Sequence, residues 1–211
     1  MNQNLFKKLD QEEIKKDKKL KTITSKLEKI ASGFEKLINE PIDTIYEDRY
    51  YTKVKKLAPK DASKKEIIIF FDFLKIYQDY KNFNFTSGMY LSTLINQSRV
   101  KDVTLDTKKF DIPIIYLGLQ NKNKNIHILG DAGSRAGASM ISGNILIEGK
   151  AGNTAGSHMR GGNIVIKGYA DCEAGWCMKG GRIDLLGDYD QGFIGNNKTG
   201  GEIYHKNRRI C

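Results

Sequence analysis

Apolar residues in the last 87 positions follow two periods at once. Over a few residues they alternate: Ile126 and Ile128, Ile145 and Ile147, Ile164 and Ile166, Ile183 and Leu185. Over longer distances the alternating blocks return every nineteen residues. Asn125–Gly143, Asn144–Gly162 and Asn163–Gly181 match column for column, Arg182–Gly201 carries one extra residue, and Ile203 starts a fifth copy. Period-two alternation of β-branched residues predicts short strands, and a fixed period of this length predicts a solenoid. The first hundred residues follow other periods. Leu20, Ile23, Leu27, Ile30, Phe34 and Leu37 are spaced 3-4-3-4-3, a heptad pattern that Pro41 ends. Ser63 and Glu66 form a capping-box signature ahead of Ile67, Phe70, Phe71, Leu74 and Tyr77, which predicts a helix over about 64–80. A shorter helix is predicted at about 88–97. Residues 103–105 and 112–117 read as strands leading into the repeat, expected to form an irregular first coil and cap its upper end, and 41–62 read as irregular.

One four-residue strand cannot bury its apolar face alone. Stacking can: each strand pairs in parallel with its counterpart one coil away, about 4.8 Å distant, and the rest of the coil is the connection. Glycines mark the corners. Gly130, Gly149, Gly168 and Gly187 end the strands, Gly137, Gly156 and Gly175 lie mid-coil, and Gly143, Gly162 and Gly181 precede the next strand. Met140, Met159 and Met178 form a column of flexible core filler. The last copy departs from the pattern, and the charged run His205–Arg209 suits an exposed end. The expected architecture is α+β: a Lys-rich amphipathic or short coiled-coil helix over 1–40, a mainly helical region over 41–102, and a right-handed parallel β-helix of about four coils with its caps over 103–211.

The phrases from Gly149 to Ile164 and from Ala174 to Ile183 resemble the GXGXG β-helix family. That family includes the C-terminal domain of the glutamate synthase large subunit and one of the subunits of formylmethanofuran dehydrogenase. The resemblance covers residues 125–204, about two fifths of the chain. It implies a structural or assembly role, because in those enzymes the chemistry belongs to other domains or subunits. It therefore brings no catalytic residue to this sequence. The first 120 residues do not resemble those enzymes.

Composition narrows the partners. The formal charge is +10, and half of the excess lies in the first sixty residues. Lys15, Lys16, Lys18, Lys19 and Lys21 crowd the front of the first helix. A phosphate-contacting stripe is one reading; the interleaved Glu12, Glu13 and Asp17, with no aromatics, favour a solvated face. The heptad residues leave two alternatives, self-association or packing on the chain's own core. No apolar run is long enough for a membrane span, the first residues lack a signal-peptide core, and three cysteines without metal-type spacing point to a cytoplasmic protein.

Three glycine-rich stretches imitate nucleotide sites. The one from Gly130 to Gly137 follows a strand, but its spacing is G-x-x-G-x-x-x-G and it recurs in every coil; those at Gly149 and Gly192 lack the P-loop intervals. No cofactor is expected. One column brings Ser139, His158 and Cys177 together, so His158 and Cys177 should lie about 5 Å apart on adjacent coils. A Cys–His pair is a candidate nucleophile and base, or half a metal site, but no third ligand or orienting carboxylate shares the column. Asp131 with Lys150, and Glu148 with Lys167, should stack as charge ladders, and Trp176 should fill a surface step or contact patch. The expectation is a non-catalytic assembly protein acting through protein contacts. The alternatives are a subunit of a formylmethanofuran dehydrogenase- or glutamate synthase-like complex, and a nucleic-acid-binding protein using the basic helix.

Overall fold

The computed structural model describes residues 18–40, 47–192 and 194–211, with side chains from Ser25 onward except Glu47. Among the described residues four α-helices precede seven strands: α1 (Lys18–Ile38), α2 (Glu47–Leu57), α3 (Lys64–Phe73), α4 (Phe83–Gln97), β1 (Asp102–Leu105), β2 (Lys124–Ile128), β3 (Gly143–Ile147), β4 (Asn163–Ile166), β5 (Lys179–Leu185), β6 (Gly200–His205) and β7 (Arg208–Arg209). The strands form one sheet in sequence order. Neighbours from β1 to β6 are parallel, and the register aligns Val103, Ile126, Ile145, Ile164, Ile183 and Ile203. This is a parallel β-solenoid of about five turns. The irregular first coil expected ahead of the repeat runs from β1 to β2, and Asp102 pairs with Asn125 across a longer interval than nineteen.

The interior is a ladder of matched shapes. Ile128, Ile147 and Ile166 are fully buried, as are Met140, Met159 and Met178. Ala132, Ala151, Ala170 and Tyr189 bridge in parallel as a second short rung. Gly137, Gly156 and Gly175 each leave room for an isoleucine δ-methyl from the second strand that follows. A Cβ on Gly156 would lie 2.6 Å from Ile183 Cδ1, and one on Gly137 would lie 2.5 Å from Ile164 Cδ1. The methionines interlock in the same way: a Cβ on Gly162 or Gly181 would meet the terminal methyl of Met140 or Met159 at 2.6 Å. Gly149, Gly168 and Gly187 serve differently, by letting adjacent coils approach backbone to backbone, and Gly130 makes room for Thr107 and Lys108.

Between these rungs the chain alternates left- and right-handed residues. Tyr116, Arg135, Thr154 and Glu173 have φ between 58° and 64°, and Gln120, Ser139, His158 and Cys177 between 52° and 54°. The alternation decides where each N–H points. The Thr154 and His158 amides donate forward to Cys172 O and Trp176 O, while the Gly156 amide donates back to Ala136 O. Non-glycine residues in this region cost roughly 1–2 kcal/mol each, which the inter-coil bonds offset.

The helices cover one open end of the solenoid. Helix α4 is buried nearly all round; Tyr90 and Thr86 bond to α1 and α2, while Ser92 and Asn96 face the first coil. Ser92 Oγ donates to Tyr116 O and accepts from the Gly118 amide, both at 2.9 Å. Asn96 Nδ2 donates to Leu119 O, and the Ile115 amide donates to Asn84 O. These bonds satisfy an edge that would otherwise be open. A Cβ on Gly88 would collide with Ile115 O, so glycine sets how closely α4 docks. Lys124 closes the corner, donating to Ser98 O at 2.6 Å and Val100 O at 2.8 Å; burial, helped by Lys101, pulls its pKa down. At the other end β7 pairs antiparallel with β6, and the Ile203 amide donates to Cys211 O.

Several sequence expectations change. Residues 41–62 read as irregular, but 47–57 form α2, whose Tyr50, Tyr51 and Val54 are buried. Residues 112–117 are not a strand: Pro113 has no N–H, and the segment turns under α4 as part of the first coil. The capping box holds, with the Glu66 amide donating to Ser63 Oγ and the Ser63 amide to Glu66 Oε2; α3 then tightens into a 3-10 turn at Leu74–Tyr77. Of the heptad seam, Leu27, Ile30, Phe34 and Leu37 are buried in the chain's own core, where Phe34 meets Phe70, Tyr77 and Tyr90 edge-on. They are therefore not available to a second copy. The side chains of Leu20, Ile23 and Lys15–Lys21 lie outside the described residues.

Candidate functional site

The left-handed columns bring chemistry to one side of the solenoid, beside the helical cap. There a cleft of about 460 Å³ opens. Its floor follows one column down the coils: Leu119, Ala138, Ser157 and Trp176. Arg135, Thr154 and Glu173 line one wall, and Gln120, Ser139 and His158 the other. Asp48, Tyr51 and Met89 overhang it from α2 and α4. The floor dips because Ala138 and Ser157 are small between Leu119 and Trp176.

His158 is exposed, and its ring sits edge-on to Trp176 at 4.9 Å between centroids. Partial burial, then Lys179, Arg135 and Arg160, push its pKa below 6.5. Trp176 thus carries the imidazole and closes one end of the cleft. Arg135 donates to the Tyr116 hydroxyl and lies over the Tyr116 ring, which fixes the guanidinium at the opposite end. Cys177 shares the His158 column and backbone conformation, and its thiol is half-buried and free. The Cys177 amide is committed to Asn196 O. Among the described residues no three or more His, Cys, Asp or Glu side chains group as metal ligands.

The sheet face is occupied by register-holding contacts. Glu148 accepts from Lys167 and pairs with His127 Nε2 at 2.6 Å; these two bonds lower its pKa. Lys150 does not stack on Asp131 as expected. Its amino group pairs with Asp171 at 3.1 Å, while its backbone amide donates to Asp131. Asn163 Nδ2 donates to Asn144 Oδ1, Asn144 Nδ2 to Asn125 Oδ1, and Asn125 Nδ2 to Asp102 Oδ1.

Sequence reasoning missed Tyr116, Arg135, Thr154 and Glu173 as one column. Their side chains differ at every coil, so only the nineteen-residue interval linked them. It also missed Asp48 and Tyr51, which reach the cleft through α2. Comparison with known families, curated proteins and solved structures finds no match to this chain. The class it defines is therefore structural: a parallel β-solenoid capped by a helical bundle. Among the described residues no helix is long and apolar enough to cross a membrane.

Proposed function

We propose that this chain is a non-catalytic cytoplasmic assembly protein, built on a GXGXG-type β-helix and working through protein contacts. The observation that carries the reading is how the solenoid uses its polar columns. The asparagine column and the His127–Glu148–Lys167 ladder bond coil to coil, and chain segments close both ends. Exposed apolar side chains remain for partners: Tyr169, and Leu186 where it ends the Glu148–Lys167 column, stand about two-fifths exposed on adjacent coils. Tagged full-length chain isolated from its own cells should bring down a stoichiometric protein partner. Tyr169→Ser with Leu186→Ser should weaken that capture while leaving the thermal midpoint unchanged. Turnover of a substrate by the purified chain alone, lost on His158→Ala or Cys177→Ala, would overturn the proposal.

One observation favours a second reading, nucleic-acid binding. Lys29, Lys36 and Lys56 outnumber the one carboxylate, Glu28, in a groove of about 390 Å³ between α1 and the end of α2. Removing residues 1–40 would take core residues with it, so the discriminating variant is the triple Lys→Gln change at 29, 36 and 56. A gel shift that weakens with salt and is lost in that variant supports this reading; no shift in the parent at low salt rejects it.

A further inference from the structure

We infer that the cleft beside the helical cap binds a small neutral saccharide. Its volume, about 460 Å³, falls within the range of small-molecule sites. Its character excludes two other ligand classes. Two carboxylates, Asp48 and Glu173, outweigh Arg135, so the lining carries no positive excess to hold a polyanion. A lipid or other apolar ligand would bury Gln120, Ser139, Thr154 and Glu173 without partners, and unpaired buried polar groups are costly.

A sugar matches what remains. Each ring hydroxyl both donates and accepts. The carboxylates of Asp48 and Glu173 accept, the Gln120 amide does both, and the Ser139 and Thr154 hydroxyls adapt to either role. The C–H faces of a sugar ring need flat apolar contact, which Trp176 at the end of the floor presents. The low floor at Ala138 and Ser157 gives the ring a place to lie between Leu119 and Trp176, across coils about 4.8 Å apart. The solenoid fixes the backbone of every one of these positions but Asp48, so little ordering is needed on binding.

The site carries its own reporter, because Trp176 is the single tryptophan in the sequence. The full chain is titrated with a panel of neutral hexoses, pentoses and disaccharides while Trp176 emission is followed. ATP and free amino acids serve as contrasting arms. At least one neutral sugar should shift the emission saturably. Asp48→Asn and Glu173→Gln should each weaken that response about tenfold or more, since each removes a charged acceptor, with the thermal midpoint retained. No response to any sugar, a response that survives both substitutions together, or saturation by ATP or amino acids instead would overturn the inference.

Discussion

Replacing Gly156 with alanine isolates the feature on which coil stacking depends. Gly156 has φ of +69°, and an added Cβ would stand 2.6 Å from Ile183 Cδ1 and 3.3 Å from Ile164 Cδ1. The left-handed backbone costs alanine roughly 1–2 kcal/mol. Crowding against two packed isoleucines adds about 1–3 kcal/mol. Stiffening of the unfolded chain returns about 0.4–1 kcal/mol. The net expectation is a loss of about 3 kcal/mol. Ile183→Val tests the steric part, because it removes the offending δ-methyl and the next atom of Ile183, Cγ1, lies at 3.5 Å. Alone it should cost about 0.5–1.5 kcal/mol. Combined with Gly156→Ala it should cost less than the sum, with a coupling of about 1–3 kcal/mol. Urea unfolding at 25 °C, followed by Trp176 fluorescence, measures all four corners of the cycle. A Gly156→Ala protein as stable as the parent, or a strictly additive double variant, would refute the packing argument.

Further outcomes follow from the same contacts. Gly88→Ala should loosen α4 from the first coil, read as faster amide exchange in residues 83–97 and 114–120 and a lower thermal midpoint; unchanged exchange there would show that the docking does not need glycine. Met159→Ala should cost about 2–5 kcal/mol in urea unfolding, because the side chain is fully buried and fills the space at Gly181; a loss under about 1 kcal/mol would contradict that packing. By NMR, His158 should titrate below 6.5, and Lys179→Met should move its midpoint upward. Because the unfolded chain then binds this proton more tightly, the His158 contribution makes stability rise with pH from the folded midpoint up to about 6.5 and flatten above it; a midpoint at or above 6.5 would show that its neighbours do not act as described.

The sequence was most legible where one residue type repeats at one spacing. Ile145, Ile164 and Ile183, with Met140, Met159 and Met178, gave both the strands and their register, because each column fills an identical space in successive coils. The first coil was legible only as apolar segments ahead of the repeat, because it is longer than nineteen residues and α4, rather than another coil, covers it. Helix α2 was obscured by charged residues interleaved with Tyr50, Tyr51, Val54 and Leu57, which pack on the core. The heptads of α1 were legible as an apolar stripe, but periodicity does not say what covers a stripe; here the covering residues are Phe70, Tyr77 and Tyr90. The cleft was least legible. Its residues share a backbone conformation and a direction rather than a chemical type, and two come from a helix about a hundred residues away in sequence.

Everything proposed for this chain rests on the parallel stacking of its coils. Inter-strand nuclear Overhauser effects on isotope-labelled, deuterated protein test that stacking directly. Parallel stacking requires contacts linking Ile126 to Ile145, Ile145 to Ile164, Ile164 to Ile183 and Ile183 to Ile203 in a parallel pattern, continued upward from Ile126 to Val103. Antiparallel cross-strand contacts between these segments, or contacts in another register, would contradict it.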